Sequence, residues 1–411
     1  MRVLHVIPSY LPAVRYGGPI FAVHALCRAL AARGHHVEVF TTNVDGPGVS
    51  AVPLATPVPL DGVRIRYFAA ERWRRLYWAP RLARTLKREV SRFDIVHTHS
   101  AFLWPTWAAA RLARNAHVPY LMSPRGMLVR DLIGRRSPLA KRVWIELFEK
   151  NNLKMASVIH ATSDLEATEL RRFGWPLPPI AIIPNGVDEF GRAAVGEISA
   201  DVKEIAEMRP YALFLGRISW KKGLDRLLRA FARTSVGHLA IVGPNDEALL
   251  PHLAQLARDL QISRRVRFLP RSVTGADKDC LYASAQLFVL PSYSENFGNT
   301  VLEAMQHACP VVVTPEVGAA EIVRQAGGGL IVDGDPAPLG AAIASLMTET
   351  ASARAMGEAG RQHIAAHYDW RTIATRMEAL YAGVIERFGK AEASTPRRPS
   401  SMRGAGERTP L

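Results

Sequence analysis

Two short segments carry residue types whose spacing suits chemistry on a phosphorylated ligand. The first, Gly216-Arg217-Ile218-Ser219-Trp220-Lys221-Lys222-Gly223, directly follows an apolar run. Arg217 offers a planar fork of donors and Lys222 a compact cation, a pair suited to two neighbouring phosphate groups. Gly216 and Gly223 let backbone come close to such a ligand. The alternative for this segment is a basic, solvated loop. The second segment is Ser294-Glu295-Asn296-Phe297-Gly298-Asn299-Thr300-Val301-Leu302-Glu303. Gly298 and Asn299 allow a tight turn before a helix predicted from Thr300 to His307. Free amides at that helix start would face a phosphate, helped by the helix dipole. Glu303 falls in the first turn and Glu295 before it, so one carboxylate can accept from ribose hydroxyls and the other from sugar hydroxyls. Dipole compensation alone would account for Glu303, but not for Glu295.

Both segments need strand ends to hold them, because in an open α/β sheet ligands bind beyond the C-terminal ends of the strands. The chain supplies these. Apolar β-type runs alternate with amphipathic helical stretches, which predicts parallel sheets built from βαβ units. Strands are expected at 3–7, 37–40, 95–98, 120–122, 158–160 and 181–183, then at 212–215, 239–242, 266–269, 287–290, 311–313 and 330–332. Ile20, Val23, Leu26, Cys27 and Leu30 form an apolar stripe at helical spacing. The reading is an α/β chain of two doubly wound domains, 1–188 and 189–367, with 184–209 as the linker stretch. Residues 368–388 are helical, with Ile373, Met377, Leu380, Tyr381 and Ile385 on one face, and are expected to pack back towards the first domain. Residues 391–411, rich in Pro, Ser, Arg and Gly, are expected to be disordered.

At 411 residues the chain can bury a full core in each domain. No run approaches the roughly 20 apolar residues of a membrane-spanning helix. The apolar stretch at Met1–Ile7 is too short for a secretory signal and reads as a strand, which predicts a cytoplasmic protein. Cys27, Cys280 and Cys309 are widely spaced and form neither a metal-type pair nor a disulfide framework. The net charge of +15 calls for a polyanionic partner or surface, or reflects arginine usage alone.

Three further stretches extend the pattern: Gly17-Gly18-Pro19 after the first strand, Asp94-Ile95-Val96-His97-Thr98-His99, and Pro184-Asn185-Gly186-Val187-Asp188. With Glu295 and Glu303 and the upstream Gly-Arg…Lys-Gly segment, they resemble in order the retaining glycosyltransferases of the GT-B fold, in the large family with a Glu-x7-Glu signature (glycosyltransferase family 4, group 1 type). The resemblance implies two Rossmann-like domains facing across a cleft, the first for the acceptor and the second for a nucleotide sugar. It implies that Arg217 and Lys222 neutralise the donor diphosphate and stabilise the leaving group. Glu303 would bind the ribose, and Glu295 the transferred sugar with help from the amides of Phe297, Gly298 and Asn299, with Thr300 also in the donor site. Gly17 and Gly18 would bring first-domain backbone against the phosphates. Same-face attack with retention would need no metal, since Arg and Lys supply the positive charge. GDP-mannose and UDP-glucose are the leading donor types, and the product would be a polysaccharide, exopolysaccharide or glycolipid.

Where many relatives carry a His-Gly or His-Asp pair, this chain has Ser123-Pro124-Arg125-Gly126. Arg125 can bind a donor or acceptor anion, but cannot take a role that requires a neutral imidazole. His99 is expected at the cleft as a catalytic residue and His97 in packing, while His5 and His160 read as satisfied core histidines. Asp333-Gly334-Asp335 before Pro336 reads as a turn.

The stretch Arg72-Trp73-Arg74-Arg75-Leu76-Tyr77-Trp78, continuing to Arg88, interleaves cations with aromatics as an interfacial helix does on anionic lipid. Arg130, Arg135, Arg136, Lys141 and Arg142 with Trp144 form a second cluster. A solvated helical face with tryptophan in the core is the alternative. On the functional reading the first domain docks peripherally on the inner face of the cell membrane and receives a polyprenyl-diphosphate-linked saccharide. Two other functions compete: a sugar-nucleotide epimerase or phosphorylase on the same architecture, and a basic non-enzymatic nucleic-acid-binding protein. The second leaves Glu295 and Glu303 unexplained, since both would repel phosphates, so no nucleic-acid partner is expected.

Overall fold

The computed structural model describes residues 1–133, 143–188 and 196–394. Strands β1 (Arg2–Val6), β2 (His36–Thr42), the short hairpin β3 (Val44–Asp45) and β4 (Gly48–Val49), β5 (Pro57–Leu60), β6 (Val63–Phe68), β7 (Ile95–His99), β8 (Tyr120–Ser123), β9 (Val158–Ala161) and β10 (Ile180–Ile182) belong to the first lobe. Without the hairpin they form one sheet in the order β10-β9-β8-β7-β1-β2-β6-β5. Every pairing is parallel except β5 with β6 at the edge. The second lobe holds β11 (Tyr211–Leu215), β12 (His238–Val242), β13 (Val266–Leu269), β14 (Leu287–Leu290), β15 (Val311–Val313) and β16 (Gly329–Ile331), in the parallel order β13-β12-β11-β14-β15-β16. Helices cover both sheets, so central strands such as β11 and β14 are buried along their whole length and read as unbroken apolar runs.

The expected strands occur within a few residues of their predicted bounds, but the pair β5–β6 was not foreseen. β6 alternates buried Val63, Ile65 and Tyr67 with Arg64 and Arg66 on its other face, so it lacks the unbroken apolar run that marks strands such as β11 and β14. Arg66 lies 3.0 Å from Glu89 and 3.4 Å from Glu38, which keeps its charge matched beside the sheet. The 184–209 stretch is also corrected in part. Residues 189–195 lie outside the described set, but Ala200–Glu207 is a helix with Val202 and Ile205 buried. Its entry is pinned where Ser199 and Asp201 meet Arg271 and Asp277, so it belongs to the second lobe.

The last helix, Trp370–Ser394, is longer than expected, about 37 Å at 1.5 Å per residue. It includes 391–394, where disorder was expected; residues 395–411 lie outside the described set. The helix buries Ile373, Ala374, Met377, Tyr381 and Val384 and reaches back to the first lobe. There it lies against the helix Gly18–Ala32, and Arg33 Nε donates to Glu378 at 2.6 Å. The Tyr381 hydroxyl meets His97 Nδ1 at 2.7 Å. No helix among the described residues is long and apolar enough to cross a membrane.

Candidate active site

Each sheet has one place where strand order reverses, and the candidate residues gather at both. In the second lobe β11 is flanked by β12 and β14. The loop after β11 carries Arg217 and Lys222, and the loop after β14 carries Glu295, so the two emerge side by side at the crevice such reversals open. In the first lobe β1 lies between β2 and β7. Gly17 and Gly18 follow β1, and His99 closes β7.

Within the second lobe, the Lys222 ammonium donates to the Glu295 carboxylate. Arg217 is exposed and makes no hydrogen bond or ion pair among the described residues. Gly298 adopts φ 94°, a conformation that favours glycine, and caps the helix Asn299–Gln306. The first amides of that helix, Asn299 and Thr300, have no partner within it. Phe297 is buried and its carbonyl accepts from Ala319 N at 2.7 Å, which fixes the loop that presents them. Glu303 lies on the same helix. It is held by Lys278 Nζ at 3.1 Å and by the Tyr282 hydroxyl at 3.0 Å.

The first lobe brings a second helix start to the same gap. Gly17 (φ 71°) caps the helix Gly18–Ala32. A methyl group on Gly17 would lie 3.9 Å from Arg217 Nε, and one on Gly18 3.2 Å from Asn299 Nδ2. Two helix N-termini and the cations Arg217 and Lys222 therefore face one space, an arrangement that favours a multiply charged anion.

Two residues are placed otherwise than expected. Arg125 does not project into the gap. It is buried, donating from Nη1 to Asn185 Oδ1 at 2.8 Å and from Nη2 to His99 Nδ1 at 3.4 Å. Burial pulls its guanidinium pKa below the ordinary value, an effect opposed by Glu166. His99, expected at the cleft, is fully enclosed behind Arg125. Its own burial, together with His97 and Arg125, drives its pKa far down, so it stays neutral.

The buried histidines form a hydrogen-bonded set whose tautomers follow from its ends. His160 Nε2 lies 2.8 Å from the Ile183 carbonyl and must donate, so His160 Nδ1 accepts from His97 Nε2 at 3.3 Å, and His97 Nδ1 accepts from Tyr381. At the other end His99 Nδ1 accepts from Arg125, so His99 Nε2 donates to His5 Nδ1 at 2.9 Å. His160 is thus the satisfied core histidine expected, whereas His5 Nε2 is buried without a partner among the described residues. Nitrogens of His5, His97 and His99 lie within 4.8 Å of one another. The Arg125 charge beside them and the committed tautomers suit neutral imidazoles better than a bound cation.

Several site-forming residues escaped the sequence reading. Lys278 and Tyr282 sit one helical turn apart on Gly275–Ser284, a helix with no motif to mark it. Burial opposes the Lys278 charge, but Glu303 and the nearby aspartates hold its pKa above the ordinary value. Glu149 lies on a widened helical turn, Ile145–Glu149, of a kind often found at functional sites. Its carboxylate accepts from the Phe102 amide at 2.8 Å and from Trp144 Nε1 at 3.0 Å, fixing the loop after β7. Burial raises its pKa to about 7. The Asp333–Asp335 stretch forms a turn, Asp335 N donating to Asp333 Oδ1 at 3.2 Å.

The segment from Arg72 is not one helix. A short turn, Arg74–Leu76, precedes the helix Pro80–Glu89, and Trp73 is 70% exposed. Trp78 packs between Trp73 and Trp104, tilted to the first and edge-on to the second, with ring centres 5.6 and 6.4 Å away. Of the second basic cluster, Arg135, Arg136, Lys141 and Arg142 lie outside the described residues.

Residues 197–363 match the family described as glycosyl transferases group 1, and residues 17–186 the glycosyl transferase 4-like domain. A D-inositol 3-phosphate glycosyltransferase of Nocardia farcinica is 29% identical over 407 residues, covering 93% of this chain and 86% of its own. Sucrose-phosphate synthase from Thermosynechococcus elongatus has a similar fold, with a TM-score of 0.74 at 23% identity over 94% of this chain and all of its own. Anabaena HepE in complex with UDP-glucose gives a TM-score of 0.71 at 19% identity, covering 93% of this chain and 100% of that one.

Proposed function

The chain belongs to the group 1 glycosyltransferases (family 4) and has their GT-B fold, and on that premise we propose that it moves a hexose, with retention, from a nucleotide-diphosphate sugar to a saccharide or lipid-linked saccharide. The observation that carries this is the convergence of Arg217, Lys222 and two helix starts on one space, with Glu295 at its edge. Arg217 and Lys222 take up the charge that builds on the departing diphosphate, so the scheme needs no metal. Glu295 orients the sugar hydroxyls, and Glu303, set by Lys278 and Tyr282, accepts from the ribose. Retention follows if the acceptor attacks on the face the diphosphate leaves, with a phosphate oxygen taking its proton. UDP-glucose and GDP-mannose are the donors to try first; HepE binds the former.

The acceptor side is read from the first lobe. Trp73, Arg74, Arg75 and Leu76 line an open, apolar concavity rimmed by cations. Exposed tryptophan among arginines suits the interface of an anionic membrane, where the acceptor would be a polyprenyl-diphosphate-linked saccharide. On this reading the enzyme works in the cytoplasm, peripheral on the inner face of the membrane, and makes a polysaccharide or glycolipid. Co-flotation with anionic liposomes at low salt is expected, and its loss in Trp73→Ser; no flotation of the wild type removes the membrane part.

The test of the transfer itself is a turnover and thermal-shift screen over nucleotide sugars, repeated with Arg217→Ala and Glu295→Ala. Arg217→Ala should abolish stabilisation by nucleotide. Glu295→Ala should keep it and lose turnover by about 100-fold or more. Equal nucleotide affinity in wild type and Arg217→Ala would remove the assignment of Arg217.

A further inference from the structure

We infer that Asn296 is a latch between the lobes: it leaves its own lobe, enters a polar socket of the other, and so ties closure of the cleft to the placement of Glu295. The inference rests on the reading that Glu295 faces the transferred sugar.

The socket is built from Thr162, Ser163 and Glu166, each at most 5% exposed. Asn296 Nδ2 donates to Thr162 Oγ1 at 2.8 Å and to the Glu166 carboxylate at 3.3 Å. Ser163 Oγ donates to the Asn296 carbonyl at 2.9 Å. Side chain and backbone of one residue are therefore both held by the opposite lobe. Glu166 also accepts from the amides of Gly126 at 2.7 Å and Thr162 at 2.8 Å. One carboxylate thus joins Asn296 to the loop that carries Arg125.

The fit leaves no slack. A methyl group on Gly126 would stand 2.5 Å from Asn296 Cβ, and Gly126 has φ 72° as well. One on Gly318 would stand 2.0 Å from the Asn296 carbonyl oxygen. Glu295 cannot drift relative to its neighbour, because its amide donates to Glu316 O at 3.0 Å and its carbonyl accepts from Gly318 N at 2.9 Å. A second arm runs from Arg125 through Asn185, whose Nδ2 donates to Asn299 Oδ1 at 2.9 Å. The first lobe therefore grips the loop on both sides of Phe297.

Arg217, Lys222, Lys278 and Glu303 all lie in the second lobe and need no latch to meet a nucleotide. Asn296 is a positioning residue, and its loss should divide binding from turnover. In Asn296→Ala, affinity for UDP and GDP by calorimetry should match wild type, while kcat falls about 100-fold, the scale expected when reacting groups lose alignment. Small-angle scattering with saturating UDP or GDP should show a larger radius of gyration than wild type. Thr162→Val should act in the same direction from the other lobe, and the double variant should lose little more than Asn296→Ala alone. Gly126→Ala should match them by blocking the socket. Unchanged kcat, an equal loss of nucleotide affinity, or an additive double variant would overturn the latch. Absence of turnover in the wild type would instead defeat the transferase reading, and the scattering comparison would still decide the latch.

Discussion

The Lys222 ammonium and the Glu295 carboxylate meet across the gap between the loops that follow β11 and β14. Both side chains are less than one-fifth exposed, at 17% and 19%. The two charges satisfy each other, and on the proposed reading an incoming phosphate would share Lys222 with Glu295. Lys222→Met should therefore act twice. It should weaken nucleoside diphosphate affinity at least about tenfold, and leave a largely buried carboxylate unpaired at a cost of about 1–3 kcal/mol. Titration with UDP and GDP alongside denaturant unfolding separates the effects; unchanged affinity would show that Lys222 does not meet the phosphates.

Glu303 is held by two donors, and the Tyr282 hydroxyl is one of them. Burial and Glu303 raise the pKa of that hydroxyl well above its ordinary value, so it stays a donor at any working pH. Tyr282→Phe removes a single hydrogen bond without changing shape. Affinity for nucleoside diphosphates should fall about 3- to 10-fold, corresponding to about 0.5–1.5 kcal/mol, with little change for inorganic pyrophosphate. An equal loss for both would mean that Glu303 does not serve the ribose.

The histidine set sets an acid limit. Burial, with Arg125 adding to it, lowers His5 and His160 to about 3, and His97 and His99 are also pushed well down. The unfolded chain takes up protons near pH 6.5 and the folded one does not, so stability is lost as pH falls below 6.5. Four such groups give a slope approaching about 5 kcal/mol per pH unit. Against a total of about 5–15 kcal/mol, the fold should fail near pH 5. Thermal melts from pH 7.5 to 4.5 read this directly. A flat melting temperature down to pH 5 would contradict the neutral, enclosed assignment.

Glu149 works in the opposite sense. Its pKa is raised by burial to about 7, so the folded state holds a proton that the unfolded chain releases near 4.5. The resulting penalty grows between pH 4.5 and 7 and is constant above. Glu149→Gln keeps an oxygen for the Phe102 amide and Trp144 and removes the titration. It should match wild type at pH 4.5 to 5 in its pH-dependent part and gain up to about 3 kcal/mol by pH 8. A stability difference that does not change with pH would argue against a carboxyl titrating in that pocket.

The linear pattern reached far where chemistry and period coincide in one stretch. The apolar runs that become β11 and β14 give the parallel sheets, because a strand buried on both faces must be apolar throughout. The segments 216–223 and 294–303 were legible for the same reason: cations, glycines and acids sit within a few residues of a strand end. β6 was not, since Arg64 and Arg66 on its other face break the apolar run and their partners Glu38 and Glu89 are remote in sequence.

Residue types, their spacing and the rhythm of apolar runs determined two α/β units and a cationic pair set against two acids. Tertiary packing decided which of those groups are free to meet a ligand. Arg125 and His99 turn inward because strands β1, β7 and β8 pack their ends against Asn185 and the other histidines. Lys278 and Tyr282 reach Glu303, and Asn296 bridges the lobes, through contacts of 21 to 134 residues' separation, among them Tyr282–Glu303 and Asn296–Thr162. Spacing along a chain fixes only what lies within a turn or a strand; burial and partnership at longer range depend on how the layers close.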